Sequence, residues 1–220
     1  MREAYHDRLG ELATSLADMC AMVGTAMERA TIALLKTDLA LAEQVISDDA
    51  AVDIARTAYE EEAYALLALQ APVATDLRTV LAVIHAAESL ERMGDLALHV
   101  AKAARRRHPN PVLPDEVRPY FEQMGRVAVD MARKTEEVIR SQDIEQAKQV
   151  EDDDDEMDNL HRDLFAVLMD KDWPHSVTTA VDVTLLGRFY ERFADHAVSV
   201  AKRTVFVVTG RMPGSDQYDI

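Results

Sequence analysis

Glu91-Arg92-Met93-Gly94-Asp95 returns, 100 positions on, as Glu191-Arg192-Phe193-Ala194-Asp195, and Val100-Ala101-Lys102 returns in step as Val200-Ala201-Lys202. A second string, Asp38-Leu39-Ala40-Leu41-Ala42-Glu43-Gln44-Val45, has its counterpart 105 positions on in Asp143-Ile144-Glu145-Gln146-Ala147-Lys148-Gln149-Val150. Self-similarity over that distance means one structural unit used twice. Around the first pair the apolar and small residues Val80, Val83, Ala87, Leu90, Gly94, Ala97 and Ala101 recur as Ala180, Val183, Gly187, Tyr190, Ala194, Ala197 and Ala201. Steps of three and four define one face of a helix, and small residues on it let a neighbouring helix come close.

Working outward, Tyr5, Leu9, Leu12, Leu16, Met19, Val23, Ala26, Ala30 and Leu34 mark a first long helix, and Val45, Val52, Tyr59 and Leu66 a second at heptad spacing. With the helix around Gly94 these fill residues 1–107. Val117, Phe121, Met124, Ala128, Met131, Thr135 and Val138 open a fourth helix, 143–170 form a fifth, and Pro174 precedes a sixth that runs to about Val208. Between the halves, Pro109, Pro111 and Pro114 cannot continue a helix. The expected fold is all-α: two tandem homologous three-helix bundles, six long helices in total. The expected organisation is repeat one over 1–108, a proline-rich linker over 109–114, repeat two over 115–210 and a C-terminal tail over 211–220.

Composition agrees with helices: aromatics are 5%, Gly and Pro seven each, and 48% hydrophobic content suffices for a core. The formal charge of −16 repels nucleic-acid backbones and anionic lipid surfaces and favours cations and basic protein patches. Cys20 is the single cysteine, so no intramolecular disulfide forms, which suits a reducing compartment. Arg2, Glu3, Asp7, Arg8 and Glu11 interrupt the N-terminal apolar positions, so neither a signal peptide nor a membrane span is expected there. A cytoplasmic protein is the expectation.

Beside the close-packing face runs a row that apolar residues begin and carboxylates interrupt: Leu77, Leu81, Ile84, Glu88, Glu91, Asp95, Leu98, Lys102. Its copy is Val177, Val181, Thr184, Arg188, Glu191, Asp195, Val198, Lys202. On the second helix Asp49 and Asp53 share a face, and the 105-residue offset carries them to Asp154 and Asp158. Residues four apart are neighbours on a helix, and two like charges there cost a few tenths of a kcal/mol. Chance alone supplies roughly seven such acidic pairs in a chain with 40 acids among 220 residues. Four pairs at duplicated positions say more than any one. Facing rows on two antiparallel helices would form an oxygen-rich site for Mg²⁺, Ca²⁺, Mn²⁺ or iron. The plainer account is a solvated face neutralised by Arg56, Arg78, Arg92 and Arg192.

The strings Ala71-Pro72-Val73-Ala74-Thr75-Asp76-Leu77-Arg78, Leu90-Glu91-Arg92-Met93-Gly94-Asp95 and Tyr190-Glu191-Arg192-Phe193-Ala194-Asp195-His196 resemble the signature segments of the PhoU family. That resemblance spans the chain and implies two three-helix bundles with divalent or iron-type metal ions on E(D)xxxD motifs. The motifs fall on Asp49/Asp53 with Glu91/Asp95, and on Asp154/Asp158 with Glu191/Asp195. Arg188 replaces the Glu88 of the first half, which leaves open whether the two sites hold equal numbers of ions. No paired nucleophile and base appears in the strongly periodic segments, so a non-enzyme is expected. The resemblance further implies a phosphate-responsive adaptor of the phosphate ABC transporter ATPase and a phosphate-sensing histidine kinase. It would restrain phosphate uptake and the starvation response, and a homodimer is an open alternative.

Other signals are weaker. Glu3-Ala4-Tyr5-His6 is one Glu-x-x-His where a ferritin-like bundle needs two on facing helices. His161 shares a face with Asp154 and Asp158 and is a candidate extra ligand, although Arg56 holds its place in the first half. Arg105, Arg106 and Arg107 are read as complements to a helix C-terminus, or as a contact for an acidic partner. Glu151-Asp152-Asp153-Asp154-Asp155-Glu156 is mostly a solvated face. No G-x-x-x-x-G-K-[ST] occurs, so nucleotide hydrolysis is unsupported. A carboxylate-bridged metalloenzyme or metal-storage bundle, and a purely structural scaffold, are the rival readings. In limited proteolysis, the linker 109–114 should be the first internal site cut; early cuts inside 80–101 would place the boundary elsewhere.

Overall fold

The computed structural model describes the backbone of residues 2–211 and the side chains of residues 7–211. The Glu3 and His6 side chains, and the tail beyond Arg211, lie outside the described residues. Six helices follow in order: α1 (Arg2–Lys36), α2 (Leu39–Gln70), α3 (Ala74–Arg107), α4 (Arg118–Ser141), α5 (Ile144–Leu168) and α6 (Val177–Thr209). No strand occurs among the described residues.

The duplicated letters have local causes. Asp38 and Asp143, which open the matched strings, are both N-caps: Asp38 accepts from the Leu41 amide, and Asp143 from those of Glu145 and Gln146. Each satisfies donors that the first helical turn leaves open, worth about 1 kcal/mol. Ser176 does the same for α6 through the Thr179 amide. The α2–α3 turn has no such help: Val73 provides no side-chain cap, and Ala71 and Ala74 hold positive φ of 42° and 52°. Such a conformation costs an alanine roughly 1 kcal/mol.

Helices α1–α3 pack on one another, as do α4–α6, but the halves are not separate bodies. Helix α1 lies on α4 and α3 on α6, and one continuous apolar core runs from Leu9 to Ala201. The four helices α2, α3, α6 and α5 form one layer and α1 and α4 cover it. Helices α3 and α6 run antiparallel: Arg107 at the end of α3 bonds Asp182 near the start of α6, His99 stacks on Phe189, and Arg78 lies against Gly210.

Polar contacts secure the seam. Arg107 donates from Nε (3.2 Å) and Nη2 (2.5 Å) to the same Asp182 oxygen, with Arg106 at 3.8 Å, while Arg105 pairs with Glu43 at 3.5 Å. The three arginines expected to complement the helix end or meet an acidic partner are engaged within the chain, because the antiparallel crossing puts Asp182 beside Arg106 and Arg107 while α2 puts Glu43 beside Arg105. In the core, Thr31 Oγ1 donates to the Met27 carbonyl at 2.8 Å, so Tyr190 is left to donate to Thr31, also at 2.8 Å. Burial pushes the Tyr190 phenol far up, keeping it a neutral donor. Cys20, buried, donates to the Ala132 carbonyl at 3.3 Å. Between α3 and α4, residues 108–111 are exposed, while Val112 and Leu113 plug into the core.

Gly125 on α4 packs directly on Thr31 of α1: a Cβ there would stand 2.5 Å from Thr31 Cγ2 and 3.1 Å from its Oγ1. Gly125→Ala should therefore push α1 off α4, strain the Thr31–Tyr190 bond and cost about 1–3 kcal/mol, against about 1 kcal/mol for Tyr190→Phe. Chemical denaturation of the two variants measures both, and an unchanged Gly125→Ala midpoint would refute the close crossing.

Candidate functional site

The predicted rows meet as two grooves in the four-helix layer, one between α2 and α3, the other between α5 and α6. In the first, Gly94 is the pivot: a Cβ there would touch Val52 Cγ1 at 3.2 Å, Val23 Cγ1 at 3.6 Å and Asp49 Oδ1 at 3.7 Å. The Asp49 carboxylate thus lies on the α3 backbone next to Asp95. Burial, Asp53 and Asp95 raise the Asp49 carboxyl, with Lys102 and His99 opposing. Burial and Asp95 raise Glu91, against the pull of Arg92 and Arg56, and Asp53 adds to the rise. The four predicted acids of this half are therefore within electrostatic reach of one another. Arg92 spans two of them, at 3.5 Å from Glu91 and 2.9 Å from Asp95. Glu88 stands apart, its side chain 60% exposed and 3.8 Å from His85. A cleft of about 430 Å³ between α1 and α2, reaching from Met22 to Asp49 and Gly94, adjoins the groove.

The second groove repeats this with a larger charge imbalance. Burial, then Asp158, Asp195, Glu191 and Asp155, push the Asp154 carboxyl up to about 6. Burial, Asp195 and Asp158 raise Glu191, and Arg188 works the other way. Arg188, at the place of Glu88, folds one turn along α6 and pairs with Glu191 Oε1, while Glu191 Oε2 is buried with no hydrogen-bond partner. His161 sits one turn from Asp158, against α6 at Gly187, its Nε2 also buried and unpartnered. Burial and Arg188 lower its pKa, with Asp158 opposing, so the ring is biased to its neutral form. Asp155, exposed at the next position along α5, adds its charge to the rise of Asp154 from outside the groove.

Among the described residues no three His, Cys, Asp or Glu side chains converge closely enough, as placed, to hold a metal ion. What the structure brings together is a pair of acid-lined, partly dehydrated grooves. A cation suits them: the donors are hard carboxylate oxygens whose mutual repulsion it would relieve, and Glu191 Oε2 is a buried acceptor lacking a donor.

The PhoU domain matches residues 16–104 and again 121–204, once for each half. The chain belongs to the PhoU family. A Mycobacterium leprae protein named phosphate-specific transport system accessory protein PhoU homolog 1 is 57% identical over 98% of this chain and 97% of its own. PhoU homolog 2 of Mycobacterium tuberculosis, likewise named for phosphate-specific transport, is 58% identical over 97% of this chain and all of its own. The crystal structure of the phosphate transport system regulatory protein PhoU from Streptococcus pneumoniae superposes with a TM-score of 0.83 at 24% identity, covering 94% of this chain and 98% of that one, a likeness of fold. These relatives are named accessory and regulatory proteins, and with that membership the chain is placed outside the enzymes. Among the described residues no helix is long and apolar enough to cross a membrane.

The Asp154 carboxyl sets a pH dependence. Its folded pKa of about 6 lies above the ordinary 3.8, so the folded state holds this proton more tightly than the unfolded chain. The group is neutral in both states below the lower value and is penalised increasingly as pH rises through the higher one. In metal-free protein, Asp154→Asn should stabilise relative to the parent, and the gap in melting temperature should widen from about pH 4 to about pH 7. A gap that is flat or shrinks over that range would refute it.

Proposed function

We propose that this protein is a phosphate-responsive regulator that works on a phosphate ABC transporter and its linked sensor kinase from the cytoplasmic side. It holds uptake and the starvation response down while phosphate is plentiful. The observation that carries this reading is the identity of 57–58% with proteins named for phosphate-specific transport, sustained over nearly the whole chain. Long rigid helices, a strongly acidic surface and the absence of a membrane-crossing helix among the described residues suit a protein that docks on a transporter's basic surfaces and is not embedded with it.

The two grooves supply the second half of the reading: divalent or iron-type cations held by Asp49, Asp53, Glu91 and Asp95 in one half, and by Asp154, Asp158, Glu191 and Asp195 in the other. A cation binding the folded state alone stabilises it by mass action, and here it would tie α2 to α3 and α5 to α6. The ions are structural in this view, setting the shape and charge of the face presented to partners. The metalloenzyme alternative has only the same carboxylates behind it and is set aside by the family.

The test joins both halves. Deleting the gene in its own host should switch on phosphate-starvation genes in phosphate-rich medium, and the parent gene should restore repression; repression that persists without the protein would sink the regulatory reading. In purified protein, Asp95→Asn and Asp195→Asn should each lower metal content and melting temperature, and a chelator should lower the parent towards them. Asn variants that melt at or above the parent, with no chelator effect on any of the three, would overturn the cation reading alone.

A further inference from the structure

The 105-residue offset that relates α2 to α5 also relates α1 to α4, and an ion pair shows it: Arg29 meets Asp48 at 3.5 Å, and their counterparts Lys134 and Asp153 meet at 2.5 Å. The cleft of about 430 Å³ between α1 and α2 can therefore be compared with the corresponding place between α4 and α5. Ala26, Val45, Val52 and Gly94 form its floor. At those places the second half has Met131, Val150, Met157 and Ala194, all fully buried. At the mouth Ala21, Thr25 and Ala51 are exposed, and their counterparts are Arg126, Asp130 and Glu156. The first half is thus smaller along the floor and uncharged at these mouth positions, although its Met22 is larger than the matching Val127. A cleft of this volume lies within the range of small-molecule sites, about 300–1,000 Å³.

Acids dominate its charge. Asp18 accepts from Arg140 at 2.6 Å, and Asp48 accepts from Gln44 at 2.8 Å and from Arg29. Asp49 differs from both. It is half-buried, with Oδ1 at 3.7 Å from where a Gly94 Cβ would stand, at the inner end of the floor. Lys102 and His99 lie within electrostatic reach of it, yet among the described residues neither bonds it, and His99 Nδ1 is turned to the Asp95 carbonyl. A ligand that slides over the apolar floor therefore arrives at a carboxylate without a donor. An anion there would face Asp18, Asp48 and Asp49, with Arg29 the one positive residue of the lining.

We propose that this cleft binds a small amphipathic amine, its apolar body on Ala26, Val45 and Val52 and its ammonium on Asp49. The ammonium supplies the donors that Asp49 lacks, in a charge-assisted hydrogen bond. The body covers apolar floor that water otherwise wets. Carboxylate and phosphate ligands are turned away by the same acids. The second half, with Met131 and Met157 along its floor, has no room for the body, so one unit of the duplicated scaffold keeps a ligand site that the other has filled. Asp49 is also among the acids proposed above to hold a cation. Every arm of the test is run on chelator-treated protein, where amine binding does not depend on that reading.

The experiment titrates the full-length protein with phenethylamine, phenethyl alcohol and phenylacetate, which share one apolar body, and follows the backbone amides by NMR. The parent should bind the amine saturably, with shifts centred on α1 and α2, about tenfold or more tighter than the alcohol. Phenylacetate should not bind saturably. Asp49→Asn should weaken the amine to the level of the alcohol and leave the alcohol as in the parent. Ala26→Met with Val52→Met, which writes the second half's residues into the first, should abolish binding of both. Since that double change touches the core, Ala21→Arg is its companion: it copies Arg126 at the exposed mouth, should melt as the parent does, and should weaken the amine by about tenfold or more. Amine and alcohol that bind the parent alike, or an amine preference that survives Asp49→Asn, overturn the proposal. So does amine binding untouched by Ala21→Arg, or a parent that binds no amine.

Discussion

Everything distinctive in this molecule depends on how closely helices approach along the small-residue faces of α3 and α6. Gly94, Ala97 and Ala101, with Ala194, Ala197 and Ala201, are all buried, and they bring α2 and α5 nearly onto the backbone of their neighbours. Of the adjoining residues, Asp49, Glu91, Asp95, Asp154 and Glu191 are only half exposed, whereas Asp53, Asp158 and Asp195 stand in water. They are carboxylates, so close packing becomes electrostatics: Asp49 touches Gly94, and Asp154 is raised to about 6 by partial dehydration and by four neighbouring acids. Larger residues at 94 or 194 would widen the grooves, rehydrate the acids and relax the coupling among them.

The same closeness makes the two repeats one body. Six helices could have formed two bundles joined only by residues 108–117, yet α1 with α4 and α3 with α6 bury a shared core. Separating the halves would expose Tyr190, Phe121 and Met131, all fully buried, at roughly 25 cal/mol per Å² of apolar surface. It would also strip Asp182 of its arginines and Tyr190 of Thr31. The pair of acidic grooves is consequently held at fixed separation and orientation.

Duplication supplied two sites and divergence made them unlike. Arg92 bridges Glu91 and Asp95 in the first half, whereas Arg188 takes one oxygen of Glu191 and leaves the other bare. Asp49 has Lys102 and His99 among its neighbours, whereas every neighbour that shifts Asp154 is an acid. The second groove is thus the more electronegative, although the chain's letters look nearly symmetrical.

The sequence by itself determined the six helices, their duplication, the small-residue faces and the eight acids in register. Each of these is a property of spacing along one helix or of a match between two stretches of chain. The tertiary structure alone decided that α1 meets α4 and α3 crosses α6 antiparallel, that Arg105, Arg106 and Arg107 are consumed by Glu43 and Asp182, that Glu88 faces away from the groove, and that Gly187 admits His161. The physical reason is that periodicity names the face a residue occupies but not what lies across from it. Opposite neighbours are chosen by the fit of whole helical surfaces, and in a chain of two similar units several pairings satisfy the same pattern until packing selects one.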